Sequence, residues 1–68
     1  LHQLSDRELE ILQLICKQLS AKEIGDKLCL SERTVEGYRK KMLEKTKSKN
    51  VVGLILWGMR NNLIFLDH

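Results

Sequence analysis

Apolar and polar positions alternate along the chain in a grammar that is used three times near its start. In Leu4-Ser5-Asp6-Arg7-Glu8-Leu9 a serine is followed three residues later by a glutamate, and leucines flank the pair. This is the spacing of a capping box with a hydrophobic staple, in which serine and glutamate each satisfy an amide the helix start leaves open. Leu19-Ser20-Ala21-Lys22-Glu23-Ile24 repeats it. Leu30-Ser31-Glu32-Arg33-Thr34-Val35 gives a third cap and staple, with Thr34 in place of the glutamate. Three such starts, each opening an amphipathic run, predict three helices.

Helix 1 is expected from about Asp6 to Lys17, with Leu9, Leu12, Ile15, Cys16 and Leu19 on the helical period. Helix 2 is short, about Ala21 to Leu28, with Ile24 and Leu28 on one face. Helix 3 runs from about Glu32 to Lys47 and gathers Val35, Tyr38, Met42 and Thr46 on one side, beside the stem of Arg39. Asn50 can cap a fourth helix, about Val51 to Arg60, and Asn61 and Asn62 tolerate the left-handed conformation that ends helices. Leu63-Ile64-Phe65-Leu66 would fold back over the core as a tail. The expected fold is all-α: a four-helix bundle in one thin-cored domain spanning 1–68. Proline is absent, and nothing in the composition calls for a sheet. A chain that begins at Leu1 is expected to be a fragment of a longer protein.

Helix 2, a tight connection at Cys29–Leu30, and helix 3 have the layout of a helix-turn-helix, two steeply crossing helices joined by a three- or four-residue turn. Gly25, in mid-helix 2, sits where the two would touch, and its propensity cost of about 1 kcal/mol against Ala points to close packing. The same pattern also fits a plain three-helix bundle.

Charge is unevenly placed, as for a polyanionic partner or for an ordinary solvated helix face. Residues 31–49 carry seven basic side chains against three acidic ones, while the rest of the chain is slightly acidic. Positive charge concentrated on one helix suits a polyanionic partner. Other chemistries lack residues. Cys16 and Cys29 are expected to be buried, reduced thiols, and His2 and His68 sit at the ends, so no metal or cofactor is expected. There is no Ser-His or Cys-His pair, phosphate loop or apolar carboxylate pair to suggest an enzyme. The apolar run Val51–Met59 is too short to span a bilayer, which takes about 20 residues.

Three stretches together carry a resemblance: Leu4-Ser5-x-Arg7-Glu8-x-x-Ile11-Leu12, Leu19-Ser20-x-Lys22-Glu23-Ile24-Gly25-x-x-Leu28, and Leu30-Ser31-x-x-Thr34-Val35. With Lys45 and the Asn62-Leu63-Ile64 ending, the chain resembles the LuxR/FixJ/NarL-type DNA-binding domain over nearly its whole length. That family usually has Gly where Gln18 stands, Asn at Ala21, Lys at Glu36 and His at Tyr38. The resemblance implies a bacterial transcription regulator that binds double-stranded DNA as a homodimer, with helix 3 in the major groove and helix 4 in the dimer contact. It also implies a receiver or sensor domain elsewhere in the full chain and a cytoplasmic, nucleoid-associated location.

A helical wheel assigns roles independently. Arg33, Gly37, Lys40 and Glu44 lie opposite Val35, with Glu36 at one margin, and would face base edges in the groove. Thr34, Lys41 and Lys45 line the other margin near Tyr38 and suit phosphates. Ser20, Ala21 and Lys22 form a second anion site at the start of helix 2. Glu36 is expected either to accept from cytosine N4 or to pair with Arg33 or Lys40 on the surface. Helix 4 is apolar nearly all round, which calls for a second packing partner, either a second copy or a neighbouring domain of the full chain; Val51, Leu54, Trp57 and Gly58 are the expected dimer contact. A helical protein–protein module and a sigma-factor-like promoter reader are the competing readings.

Overall fold

A helix can start only where something replaces the acceptors its first amides lack, and each start here supplies that replacement from a side chain. The computed structural model describes residues 4–64. Ahead of α1 (Asp6–Cys16), Ser5 Oγ accepts from the Glu8 amide while Glu8 Oε1 accepts from the Ser5 amide. Ser20 and Glu23 form the same reciprocal box ahead of α2 (Ala21–Leu28). Ser31 Oγ accepts from the Thr34 amide to open α3 (Glu32–Thr46), and Asn50 Oδ1 accepts from the Gly53 amide to open α4 (Val51–Arg60). All four expected helices are present, their ends within one residue of the sequence expectation, and no strand occurs among the described residues.

The helix ends share one geometry as well. Gln18, Cys29, Lys47 and Asn62 all adopt the left-handed conformation, with φ of 67, 60, 56 and 58°. The amide that follows each one donates back into its helix: Leu19 to Leu14 O (3.2 Å), Leu30 to Gly25 O (2.8 Å), Ser48 to Leu43 O (2.9 Å) and Leu63 to Gly58 O (2.8 Å). These are Schellman closures, normally built on glycine. None of the four residues is glycine, and a side chain in this conformation costs roughly 1–2 kcal/mol. Asn62 is the best suited, because its short amide side chain tolerates the left-handed region.

Leu4, Ile11, Leu12, Leu14, Ile24, Val35, Met42, Leu54 and Ile64 form the core. The inward stripe of α1 differs from the apolar-only expectation. Glu8, Ile11 and Leu12 are buried and Ile15 is half-buried, whereas Leu9 and Cys16 are only half-buried at the edges. The stripe is centred on a position held by a carboxylate, which a count of apolar residues passes over. Ile64 folds back and is buried as expected; Phe65 and Leu66 lie outside the described residues, as do His2 and His68.

The helix-turn-helix is closed by a near collision. A Cβ built on Gly25 would run into the carbonyl oxygen of Leu30, and the Gly25 carbonyl itself accepts from the Leu30 amide. Only a residue without a side chain lets the chain turn back so tightly over α2. Both cysteines are free thiols, but Cys29 is exposed rather than buried, because it occupies the turn itself; Cys16 is half-buried, and burial pushes its thiol pKa up.

These two glycine-related positions make opposite predictions in urea unfolding. Gly25→Ala should destabilise by about 3 kcal/mol, since backbone rather than a flexible side chain must yield. Gln18→Gly should stabilise by about 1 kcal/mol, by relieving a left-handed side chain.

Candidate nucleic-acid interface

α3 divides cleanly between an inner and an outer side. Val35 and Met42 are buried and Tyr38, Arg39 and Thr46 half-buried, while Arg33, Thr34, Glu36, Gly37, Lys40, Lys41, Glu44, Lys45 and Lys47 are exposed. The five residues expected to face bases, Arg33, Glu36, Gly37, Lys40 and Glu44, therefore share the solvent side of one helix. Among the described residues Glu36 forms no ion pair with Arg33 or Lys40. Thr34, Gly37, Tyr38 and Lys41 line a shallow depression along one margin of this face. A Cβ at Gly37 would meet nothing within 4 Å, so no packing inside the domain requires glycine there.

The start of α2 offers a smaller site. The Ser20–Glu23 box consumes the Ser20 and Glu23 amides and leaves those of Ala21 and Lys22, the first two of the helix, without an intrahelical acceptor. The hydrogen bonds from Ser20, backbone first and then hydroxyl, hold the exposed Glu23 carboxyl below its usual pKa. That carboxylate adds negative charge at the helix start, and the ammonium of Lys22 offsets it for an incoming anion.

Lys45 has a second role that the wheel does not show. The wheel puts it with the phosphate-facing residues, but its Nζ donates to Glu8 Oε1 at 2.9 Å. Glu8 is 2% exposed, and its position in α1 brings a charge into the core that Lys45 must balance. Burial opposes ionisation of Glu8, yet the Lys45 hydrogen bond, the Ser5 amide and hydroxyl and the Lys45 charge together outweigh it and hold the carboxyl below the ordinary range. Lys45 is thus a tether between α1 and α3. Sequence reasoning missed it because each partner had a sufficient local role, Glu8 in a cap and Lys45 on a basic helix face.

The expected dimer contact is corrected too. Leu54 is wholly buried, and a Cβ on Gly58 would meet Ile64 Cδ1 at 3.0 Å and Leu12 Cδ2 at 3.1 Å. Both serve the domain's own packing and are closed to a partner. Val51 and Trp57 are half-buried, and Trp57 packs against the core. The outward apolar stripe of α4 is instead Val52 (66% exposed), Leu56 (49%) and Met59 (41%). Their spacing of four and three residues, opposite Leu54 on the wheel, was available in the sequence once the inner side was known.

A short turn locked by glycine, followed by a helix with a free, largely basic outer face, defines a helix-turn-helix DNA-binding domain. The luxR family of bacterial regulatory proteins (GerE) matches residues 2–58. The structure of the transcription factor GerE superposes with a TM-score of 0.91 at 33% identity, covering 94% of this chain and 96% of that one. The chain is 43% identical over 60 residues to the transcription regulator BvgA of Bordetella pertussis, covering 88% of this chain and 29% of BvgA. It is 39% identical over 61 residues to the oxygen regulatory protein NreC of Staphylococcus carnosus and 38% identical over 61 to the response regulator GacA of Pseudomonas aeruginosa; each match covers 90% of this chain and 28% of the relative. The chain belongs to the luxR family and is its helix-turn-helix DNA-binding domain, a module of transcription regulators rather than of enzymes. It spans less than a third of the curated relatives it matches. No helix among the described residues is long and apolar enough to cross a membrane.

The Glu8–Lys45 tether gives a test by pH. A carboxyl held low in the folded state contributes stability above its unfolded pKa, near 4.5, and loses that contribution as pH falls through the folded value. Lys45→Ala should cost on the order of 2 kcal/mol at neutral pH by stranding a buried charge. Glu8→Gln should flatten the loss of stability between neutral pH and pH 3, measured by thermal melting across that range.

Proposed function

We propose that this domain binds double-stranded DNA sequence-specifically as a homodimer, with α3 in the major groove. The observation that carries the reading is the outer side of α3, which is exposed along its length and where basic residues outnumber acidic ones. Arg33, Glu36, Gly37, Lys40 and Glu44 face the base edges, and Thr34, Tyr38 and Lys41 contact phosphates along the margin. Ser20, Ala21 and Lys22 hold a further phosphate at the start of α2. Lys45 joins these phosphate contacts and also fixes α3 against α1, since its ammonium, partly exposed, has donors beyond the one given to Glu8.

The outward stripe Val52, Leu56 and Met59, flanked by the half-buried Val51 and Trp57, forms the dimer contact. The amount of apolar surface it leaves in water supports this reading. In the full protein the domain is joined to a receiver or sensor domain, and it acts in the bacterial cytoplasm on chromosomal DNA. The relative named as a response regulator, and the length by which the relatives exceed this chain, support that arrangement.

Binding to a duplex should weaken steeply with salt, and Lys22→Ala and Lys41→Ala should each shallow the salt slope by about one unit, equally for all sequences. Affinity that is flat with salt contradicts the proposal. Leu56→Asp should abolish self-association and weaken binding to a two-half-site duplex while helical content by circular dichroism is retained; a sedimentation profile identical to wild type would exclude α4 as the contact.

A further inference from the structure

A buried carboxylate tied to the main chain is a fixed point, and Glu8 is one. It is 2% exposed, and its Oε1 accepts at 2.8 Å from the Ser5 amide, a donor that has no side-chain freedom. The Glu8 amide donates in turn to Ser5 Oγ at 3.2 Å. The same Oε1 accepts from Lys45 Nζ at 2.9 Å. The place of that ammonium is therefore set from the start of α1, and not by the lysine's own stem.

A lysine on a helix face ordinarily has no such place. Its four-carbon stem samples many rotamers, and a ligand that needs the ammonium in one position bears the cost of ordering it. Among the described residues Lys22 and Lys41 form no ion pair, so for them that cost falls on the DNA. Lys45 meets it before DNA arrives. Nor is the ammonium used up: it carries three donors, one goes to Glu8, and the side chain remains 39% exposed. The pair is thus buried at the glutamate end and open at the lysine end.

Charge works against this arrangement. The Lys45 and Ser5 hydrogen bonds keep Glu8 ionised despite its burial, which places a negative charge beside a phosphate-facing cation. By charge alone, neutralising Glu8 should tighten DNA binding. If Glu8 orders Lys45, neutralising it should weaken binding.

We propose that Glu8 is a positioning residue for DNA binding, holding Lys45 Nζ in the place from which it meets a phosphate, a role that rests on the phosphate contact proposed above for Lys45.

The first measurement needs no substitution. Carbon-13 relaxation at lysine Cε in the DNA-free chain should show Lys45 more restricted than Lys22 and Lys41. Duplex binding is then titrated at several salt concentrations for wild type, Glu8→Gln, Lys45→Met and the double variant, at a temperature where thermal melting shows all four folded. Glutamine retains an oxygen for the Ser5 amide, as capping boxes built on it do. Glu8→Gln should weaken binding by about three- to tenfold for all sequences alike, the cost of ordering one long side chain, and leave the salt slope unchanged. Lys45→Met should shallow the slope by about one unit, and adding Glu8→Gln to it should bring no further loss. Unchanged or tighter binding by Glu8→Gln overturns the proposal, and so does a Lys45 Cε as mobile as that of Lys41. An equal loss in the Lys45→Met background overturns it as well, since Glu8 then acts on the fold alone. These three outcomes leave DNA binding by the domain in place. A salt slope unchanged by Lys45→Met removes the phosphate contact together with the proposal, and wild-type binding that is flat with salt removes the functional reading too.

Discussion

The approach of α2 to the chain that follows it, with the Gly25 backbone against the Leu30 carbonyl, sets the geometry on which everything downstream relies. Because the turn is so tight, Ser31 is placed to cap α3 immediately, and Val35 and Met42 enter the core one and three turns later. Once these two are inside, the helical period turns Arg33, Gly37, Lys40 and Glu44 outward. The presentation of the outer face is therefore a consequence of a contact on the inner one. A methyl group at residue 25 would disturb the interface without touching any residue in it.

Much of this was legible because helix starts are written locally. Serine and glutamate at a fixed spacing identified α1 and α2, and Ser31 identified α3, since a cap needs only residues three apart. The helix ends were less legible. Gln18, Cys29 and Lys47 carry no mark of a left-handed residue, and at Gln18 only the family's usual glycine hinted at one. The tertiary assignments were the hardest. Glu8 reads as a cap and Lys45 as a groove-facing base; their pairing appears only when α1 is laid across α3. In α4 nearly every position is apolar, so periodicity could not separate Leu54 and Gly58, which the core needs, from Val52, Leu56 and Met59, which it does not.

The two capping boxes illustrate how context gives one local pattern two outcomes. At α2 the Glu23 carboxylate closes its own helix start and remains in solvent. At α1 the Glu8 carboxylate closes its helix in the same way, but α1 crosses the bundle and carries that oxygen inward, where it also binds Lys45. The second role is possible because the cap uses Oε1 from one side only, leaving a buried acceptor that a long cationic side chain can reach.

The local character of these motifs bears on how the chain reaches its fold. Caps and Schellman closures span three to six residues, so each helix can be delimited before the helices meet, and topologies rich in such contacts fold on the microsecond to millisecond scale. The Glu8–Lys45 bond joins residues 37 apart and has to wait for most of the loop-closure entropy to be spent. By the same loop-closure argument it follows the local motifs rather than preceding them. The tether then acts less as a guide to the native state than as a latch on it, holding α1 and α3 together once they have met.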